Sequence, residues 1–204
     1  MYVWNSENTP PLRTLRELAP NSFVFEKPNA LPREICANLI ERFEQHQEEQ
    51  YAGRIGQTAA KDQSIKKTTD LVVSGKPHWK DADHNFFYSL GLAMKEFRET
   101  YPYFKGPFKD IGYQIQRYLP GEYYHWHIDG GSHQFAERQL VALWYLNDVP
   151  EGAGGETEFL FQKIKVRPEA GKLILFPPFW THEHRACELK EGVKYIATTW
   201  VVFA

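Results

Sequence analysis

The chain predicts a mostly β fold, a double-stranded β-helix or jelly roll with supporting helices on its N-terminal side. Three observations carry this. Helical apolar patterning is confined to the first half. From residue 111 onward the pattern becomes short strand-like runs. Turn residues at Pro120-Gly121, Gly152 to Gly155, Gly171 and Gly192 punctuate those runs. Helices first and short strands afterwards suggest helices buttressing two packed sheets.

Taken in order, residues 1–21 are polar and proline-bearing and read as an irregular arm, followed by a short strand from Ser22 to Glu26. Pro32 suits the opening of a helix, and Ile35, Cys36, Leu39, Ile40 and Phe43 give it one apolar stripe. Residues 49–70 are polar, carry Lys61, Lys66 and Lys67, and read as a mobile loop that could serve as a lid. Leu71 to Val73 reads as a strand before the turn Ser74-Gly75-Lys76-Pro77. A second helix fits Asp81 to Tyr101, with Phe86, Phe87, Leu90, Met94 and Phe97 inward. Ile111 to Tyr118 alternates with period two. Further strands fit Leu140 to Leu146, Lys163 to Arg167, Leu173 to Phe176 and Lys194 to Phe203. With 204 residues and no linker or repeat, the chain reads as one domain: residues 1–109 form a helical and irregular support region, and 110–204 form the core.

A net charge of −2 gives no global pull toward nucleic acid or anionic membrane, and no apolar run is long enough to span a bilayer. The two cysteines, Cys36 and Cys187, predict no disulfide framework. Reduced thiols and an N-terminus without a signal-peptide pattern point to the cytoplasm.

The chemistry sits in the second half. His127 and Asp129 are two residues apart, so on a strand both side chains share a face. His125 would share it too. A second imidazole from Phe176-Pro-Pro-Phe-Trp-Thr-His182-Glu-His184 would complete two imidazoles and one carboxylate. Spacing alone leaves His182 and His184 both open. Such a set leaves positions free on a metal and suits a non-haem Fe(II) that binds a cosubstrate and oxygen. Lys194 stands between Val193 and Tyr195-Ile196-Ala197, an apolar setting that fits a buried anchor for a carboxylate better than a solvated lysine. Arg138 reads equally as a neighbour of the metal carboxylate or as a surface charge. Trp126, Trp144, Trp180 and Trp200 read as core or pocket wall. Glu156, Thr157 and Glu158 read equally as substrate-facing or as a plain edge strand.

Taken together, Arg117-Tyr118-Leu-Pro-Gly, His127-Ile-Asp129, Leu143-Trp-Tyr145-Leu-Asn-Asp-Val, Gly154-Gly-Glu-Thr-Glu-Phe159, Gly171-Lys-Leu-Ile-Leu-Phe176 and His184-Arg-Ala-Cys leading to Lys194 and Trp200 resemble the iron(II)- and 2-oxoglutarate-dependent dioxygenases, most closely the prolyl 4-hydroxylase-like branch. The resemblance implies His127, Asp129 and His184 as Fe(II) ligands, with His182 set aside by family spacing. It implies Lys194 and the Tyr145 hydroxyl on the distal carboxylate of 2-oxoglutarate, and Tyr118 in the cosubstrate pocket. It also implies O2 as co-reactant and hydroxylation of an unactivated C–H bond in a peptide or small-molecule substrate, with peptidyl proline leading and a metabolite or free amino acid as rival. A cupin-like module that keeps metal without turnover is the rival from another class. Lys194 argues against it, because a metal binder needs no carboxylate anchor.

Overall fold

The computed structural model describes residues 14–56 and 60–204; the expected N-terminal arm lies largely outside these. Two antiparallel sheets face each other, and two helices cover the outer face of the larger one. The strands are β1 (Arg16–Glu17), β2 (Phe25–Lys27), β3 (Tyr51–Ala52), β4 (Lys66–Lys67), β5 (Thr69–Val72), β6 (Phe108–Asp110), β7 (Gln114–Tyr118), β8 (Tyr123–His127), β9 (Arg138–Tyr145), β10 (Thr157–Phe159), β11 (Ile164–Val166), β12 (Leu173–Phe176), β13 (His184–Ala186) and β14 (Lys194–Phe203). The helices are α1 (Arg33–Gln45) and α2 (Lys80–Thr100). Among the described residues the large sheet runs β1-β2-β12-β9-β14-β7-β5-β3, with β6 also on β14, and the small sheet runs β11-β10-β13-β8-β4. No helix among the described residues is long and apolar enough to cross a membrane.

Period-two alternation divides the interior into two cores. On β9, Leu140, Ala142 and Trp144 pack outward with Leu39, Phe43, Phe86 and Phe97 of the helices. Val141, Leu143 and Tyr145 turn inward and meet Phe159, Phe176 and Ile196 between the sheets. The same strand thus serves both cores, which explains why 140–146 reads as a continuous apolar run.

Several expectations shift. Arg16–Glu17 of the expected irregular arm form β1, and the strand expected from Ser22 to Glu26 is β2, which begins only at Phe25 because Phe23, at φ 53°, breaks extended backbone. In α2 the buried face is Ala82, Phe86, Ser89, Leu90, Ala93 and Phe97. Phe87, one residue or about 100° around from Phe86, points out at 61% exposure. Residues 49–70 are not a continuous loop: β3 joins the large sheet through β5, and β4 joins the small sheet through β8. Lys66, expected in a solvated loop, is buried with Asp70 at 2.7 Å. Trp180, expected in core or wall, is 73% exposed. Glu156 to Glu158 do not make an edge strand, since β10 is flanked by β11 and β13.

Candidate metal and cosubstrate site

β8 and β13 lie side by side with His127 opposite His184. Their pairing then slips: His184 meets His127 but Ala186 meets Tyr124, so two residues of β8, His125 and Trp126, lie opposite the single Arg185 of β13. This β-bulge re-aims the strand. Tyr124 and His127, three apart, stack ring on ring at 3.5 Å, while Tyr123 and His125 pair at 4.7 Å. Hence His125 does not share the face of His127, contrary to unbroken alternation; it is exposed and absent from the cavity wall. Asp129 follows the end of β8. Its loop is clamped where the amides of Asp129 and Gly130 both donate to the Pro178 carbonyl, at 3.1 and 2.8 Å.

Potential ligand atoms of His127, Asp129 and His184 all lie within 4.8 Å of one another. Both imidazoles are oriented alike. Nδ1 of His127 is 2.7 Å from the His125 carbonyl, and Nδ1 of His184 is 3.0 Å from the His182 carbonyl. With that nitrogen donating, Nε2 keeps its lone pair for a metal. His184 Nε2 is 3.4 Å from Asp129 Oδ2. Burial, with His184 nearby, holds the His127 imidazole well below the usual histidine range, in the neutral form a metal requires. His182 is otherwise engaged: one ring nitrogen is 2.9 Å from Thr181 Oγ1 and the other 2.9 Å from the Ser22 carbonyl. It fastens the N-terminal segment and lends its carbonyl to His184. These geometries fit the donor set of Fe(II).

The triad opens into a cavity of about 180 Å³ between the sheets. Its floor is the inner face of β14, which presents Lys194, Ile196, Thr198 and Trp200 in turn. Lys194 is fully buried and sits 4.0 Å over the Tyr118 ring. Its ammonium donates to the Gly155 carbonyl at 2.8 Å. No ion pair forms on it among the described residues. Burial therefore lowers its pKa to about 7. The loop that reaches it needs glycine: at Gly155, φ +77°, a Cβ would press Leu189 Cδ1 and Lys194 Cδ, and at Gly154 it would stand 2.1 Å from the Glu188 carbonyl oxygen.

Tyr145 lies next to this end, fully buried, but its hydroxyl does not face the cavity. It donates to Thr157 Oγ1 at 2.7 Å and lies 3.3 Å from the Val166 carbonyl. Thr157 is the residue on the wall. Of the stretch Glu156 to Glu158, read as substrate-facing or edge strand, Thr157 faces the cavity, and its link to Tyr145 carries no signal in the sequence. Of its two expected roles Arg138 takes the first, as a neighbour of the Asp129 residue rather than a surface charge. It lines the cavity, donates to the backbone carbonyl of Asp129 at 2.6 Å, and lies between the rings of Phe135 and Trp200, 3.9 Å from each.

The fold and the site define a class. Residues 113–202 match the family model of the 2OG-Fe(II) oxygenase superfamily. The chain is 32% identical over 89 residues to a PKHD-type hydroxylase of Synechococcus sp. (strain CC9902), covering 43% of this chain and 39% of that protein. It is likewise 32% identical over 94 residues to a PKHD-type hydroxylase of Klebsiella pneumoniae (strain 342), covering 43% of this chain and 41% of that one. The chain thus spans about two fifths of the length of these curated relatives. The fold agrees over most of the chain. A prolyl hydroxylase of Trichoplax adhaerens, solved with a hypoxia inducible factor oxygen degradation domain peptide, superposes with a TM-score of 0.76 at 15% identity, covering 89% of this chain and 84% of that one. A viral collagen prolyl hydroxylase from Paramecium Bursaria Chlorella virus-1, in complex with 2OG, gives 0.65 at 20% identity, covering 92% and 99%. Such an oxygenase domain uses Fe(II), 2-oxoglutarate and O2.

Proposed function

We propose that this chain is an Fe(II)- and 2-oxoglutarate-dependent hydroxylase whose substrate is a prolyl residue in a peptide. Residues 14–204 would act as one unit, supported by strands that serve both cores at once. The observation that carries the oxygenase reading is a fully buried lysine without a carboxylate partner, in the same cavity as a preoriented two-histidine, one-carboxylate group. A buried cation costs stability unless an anion compensates it, and a dicarboxylic cosubstrate brings that anion. Proline as target is supported by the hydroxylase relatives. The free thiols Cys36 and Cys187 support a reducing, cytoplasm-like compartment.

His127, Asp129 and His184 would hold Fe(II). Once bound, iron, 2-oxoglutarate and O2 supply oxidative decarboxylation to succinate and carbon dioxide, with the second oxygen atom going into a C–H bond of the substrate. The protein's own residues do the rest. The His125 and His182 carbonyls fix both imidazole rings. Lys194 pairs with the distal carboxylate in a site closed to water, where the attraction is strong. Tyr118 offers the face of its ring to the ammonium. Tyr145 occupies one lone pair of Thr157, so the Thr157 hydroxyl proton is free to donate into the cavity beside Lys194. The test is calorimetric titration of 2-oxoglutarate into anaerobic Mn(II)-loaded protein, then succinate formation after exchange to Fe(II) and admission of oxygen with proline-containing peptides. Absence of 2-oxoglutarate binding to the metal-loaded protein overturns the reading.

A further inference from the structure

We propose that the groove between α2 and β6, away from the metal cavity, is a binding site for a free single-chain anionic amphiphile. Its alkyl chain lies along the groove, and its carboxylate is held by Lys95, Arg98 and Lys109. The groove has a volume of about 590 Å³, within the roughly 300–1,000 Å³ usual for small-molecule sites. It shares no lining residue with the metal cavity, so the site stands or falls independently of the oxygenase reading above.

Along α2, Phe87, Leu90, Gly91, Met94, Lys95 and Arg98 follow the spacing i, i+3, i+4, i+7, i+8 and i+11, so all six fall on one stripe of the helix. Phe108, Lys109 and Val201 stand on the opposite wall. The exposed ring of Phe87 thus belongs to the groove and is not an isolated surface residue. Gly91 is the telling position. Glycine inside a helix is less favourable than alanine, and no close neighbour requires it here: a Cβ at Gly91 would meet nothing within 4 Å. Its missing side chain leaves the wall open midway between Phe87 and Lys95.

Charge says what kind of ligand fits. Lys95, Arg98 and Lys109 are exposed and make no ion pair among the described residues. Two carboxylates, Glu99 and Asp110, share the lining, and Asp110 is turned to the Gly112 amide at 3.0 Å. The groove therefore carries a local positive excess on a chain whose net charge is −2, and complementary charge selects the ligand. Lys95 and Arg98, one turn apart, stand on the same side of the helix. Their stems can lie along apolar surface while the charged heads stay at the rim. An apolar chain with one anionic end meets both demands. A neutral apolar ligand would leave the cations unused, and a polar polyanion would leave Phe87, Met94 and Phe108 uncovered.

The test is calorimetric titration of decanoate into the full chain, below its micelle-forming concentration, beside 1-decanol and butanoate. Decanoate should bind one per chain and at least tenfold tighter than the alcohol, with the gap narrowing as salt is added. Butanoate should bind far more weakly, since it buries fewer methylenes. Gly91→Leu fills the groove and should weaken decanoate binding at least tenfold. Its melting temperature should nevertheless rise by about 2–4 °C, because leucine is the better helix former. Arg98→Gln should remove most of the preference for the acid over the alcohol. It changes only an exposed side chain and keeps the test valid if Gly91→Leu misfolds. Absence of saturable decanoate binding, equal binding of acid and alcohol, or undiminished binding to Gly91→Leu overturns the site. Binding of the chain to phosphatidylglycerol vesicles without binding of free decanoate overturns it too, and points to a membrane surface instead.

Discussion

The two ends of one cavity solve opposite electrostatic problems. At the small sheet, the triad is assembled from groups already satisfied: each histidine has its Nδ1 on a carbonyl, and Asp129 sits in a loop clamped to Pro178. At the large sheet, Lys194 is fully buried with one carbonyl and one aromatic face for company. The first end is preorganised and can wait for a metal at little cost. The second is left under-compensated, and an anionic ligand there would recover the lost stability. Binding of an anion at the second end is thereby coupled to the integrity of the fold.

The sharpest way to break the comparison is at the triad. His184→Ala should abolish Mn(II) binding. His182→Ala should retain it, since only the backbone carbonyl of His182 serves the site, and should lower the melting temperature through loss of the Ser22 contact. Metal loss from the His182 variant, measured by calorimetry, would reverse the assignment.

Next in size is Lys194→Met. Losing one partner of a buried charged pair costs roughly 3–5 kcal/mol, or hundreds-fold and more in 2-oxoglutarate affinity, with Mn(II) affinity unchanged. The unliganded variant should melt higher than the parent, because the buried cation has been replaced by an apolar side chain of similar length. A lower melting point together with unchanged cosubstrate affinity would show that Lys194 is a structural residue.

The pH dependence follows from the same lysine. Its folded pKa, about 7, lies below its usual value of 10.5. Between those values the unfolded chain binds more protons, so this group makes stability rise with pH from about 7 to 10.5, and its full cost is present below about 7. Cosubstrate binding needs the ammonium, so 2-oxoglutarate affinity should fall as pH rises above about 7, with proton uptake on binding. Calorimetry at pH 8 in buffers of different ionisation enthalpy reads this uptake directly, and Lys194→Met should abolish it.

The smallest effects concern the tyrosine relay. Thr157→Val removes the donor on the wall and should weaken 2-oxoglutarate binding about 10- to 150-fold, the loss of a hydrogen bond of roughly 1.5–3 kcal/mol to a charged group. Tyr145→Phe acts only through Thr157 and should weaken it less, with a lower melting temperature from the unpaired Thr157 and Val166 groups. A larger loss in Tyr145→Phe than in Thr157→Val would restore Tyr145 as the direct donor.

Much of this was legible in the chain, and particular residues show where legibility stops. The α1 stripe and the alternation through Ile115 follow from local periodicity, which survives folding because each face meets one environment. His125 could not be set aside that way, since alternation assumes an unbroken ladder and the β8 bulge breaks it. Lys66 and Asp70, four residues apart in a polar stretch, carry no sign that the stretch is pinned between two sheets. Phe87 and Trp180 are large and apolar yet exposed, which composition alone assigns inward.

By itself the sequence determined the strand-rich second half, the His127/Asp129 pair and an unusual lysine among apolar neighbours, because each is a property of a few consecutive residues. Tertiary structure decided which second histidine is free, where the Tyr145 hydroxyl points, and that Arg138 lies between two rings on the wall of the cavity. Those depend on strand register and on hydrogen bonds between residues as far apart as Ser22 and His182. A one-residue slip in such a ladder exchanges the inner and outer faces, so no reading of adjacent residues could have settled them.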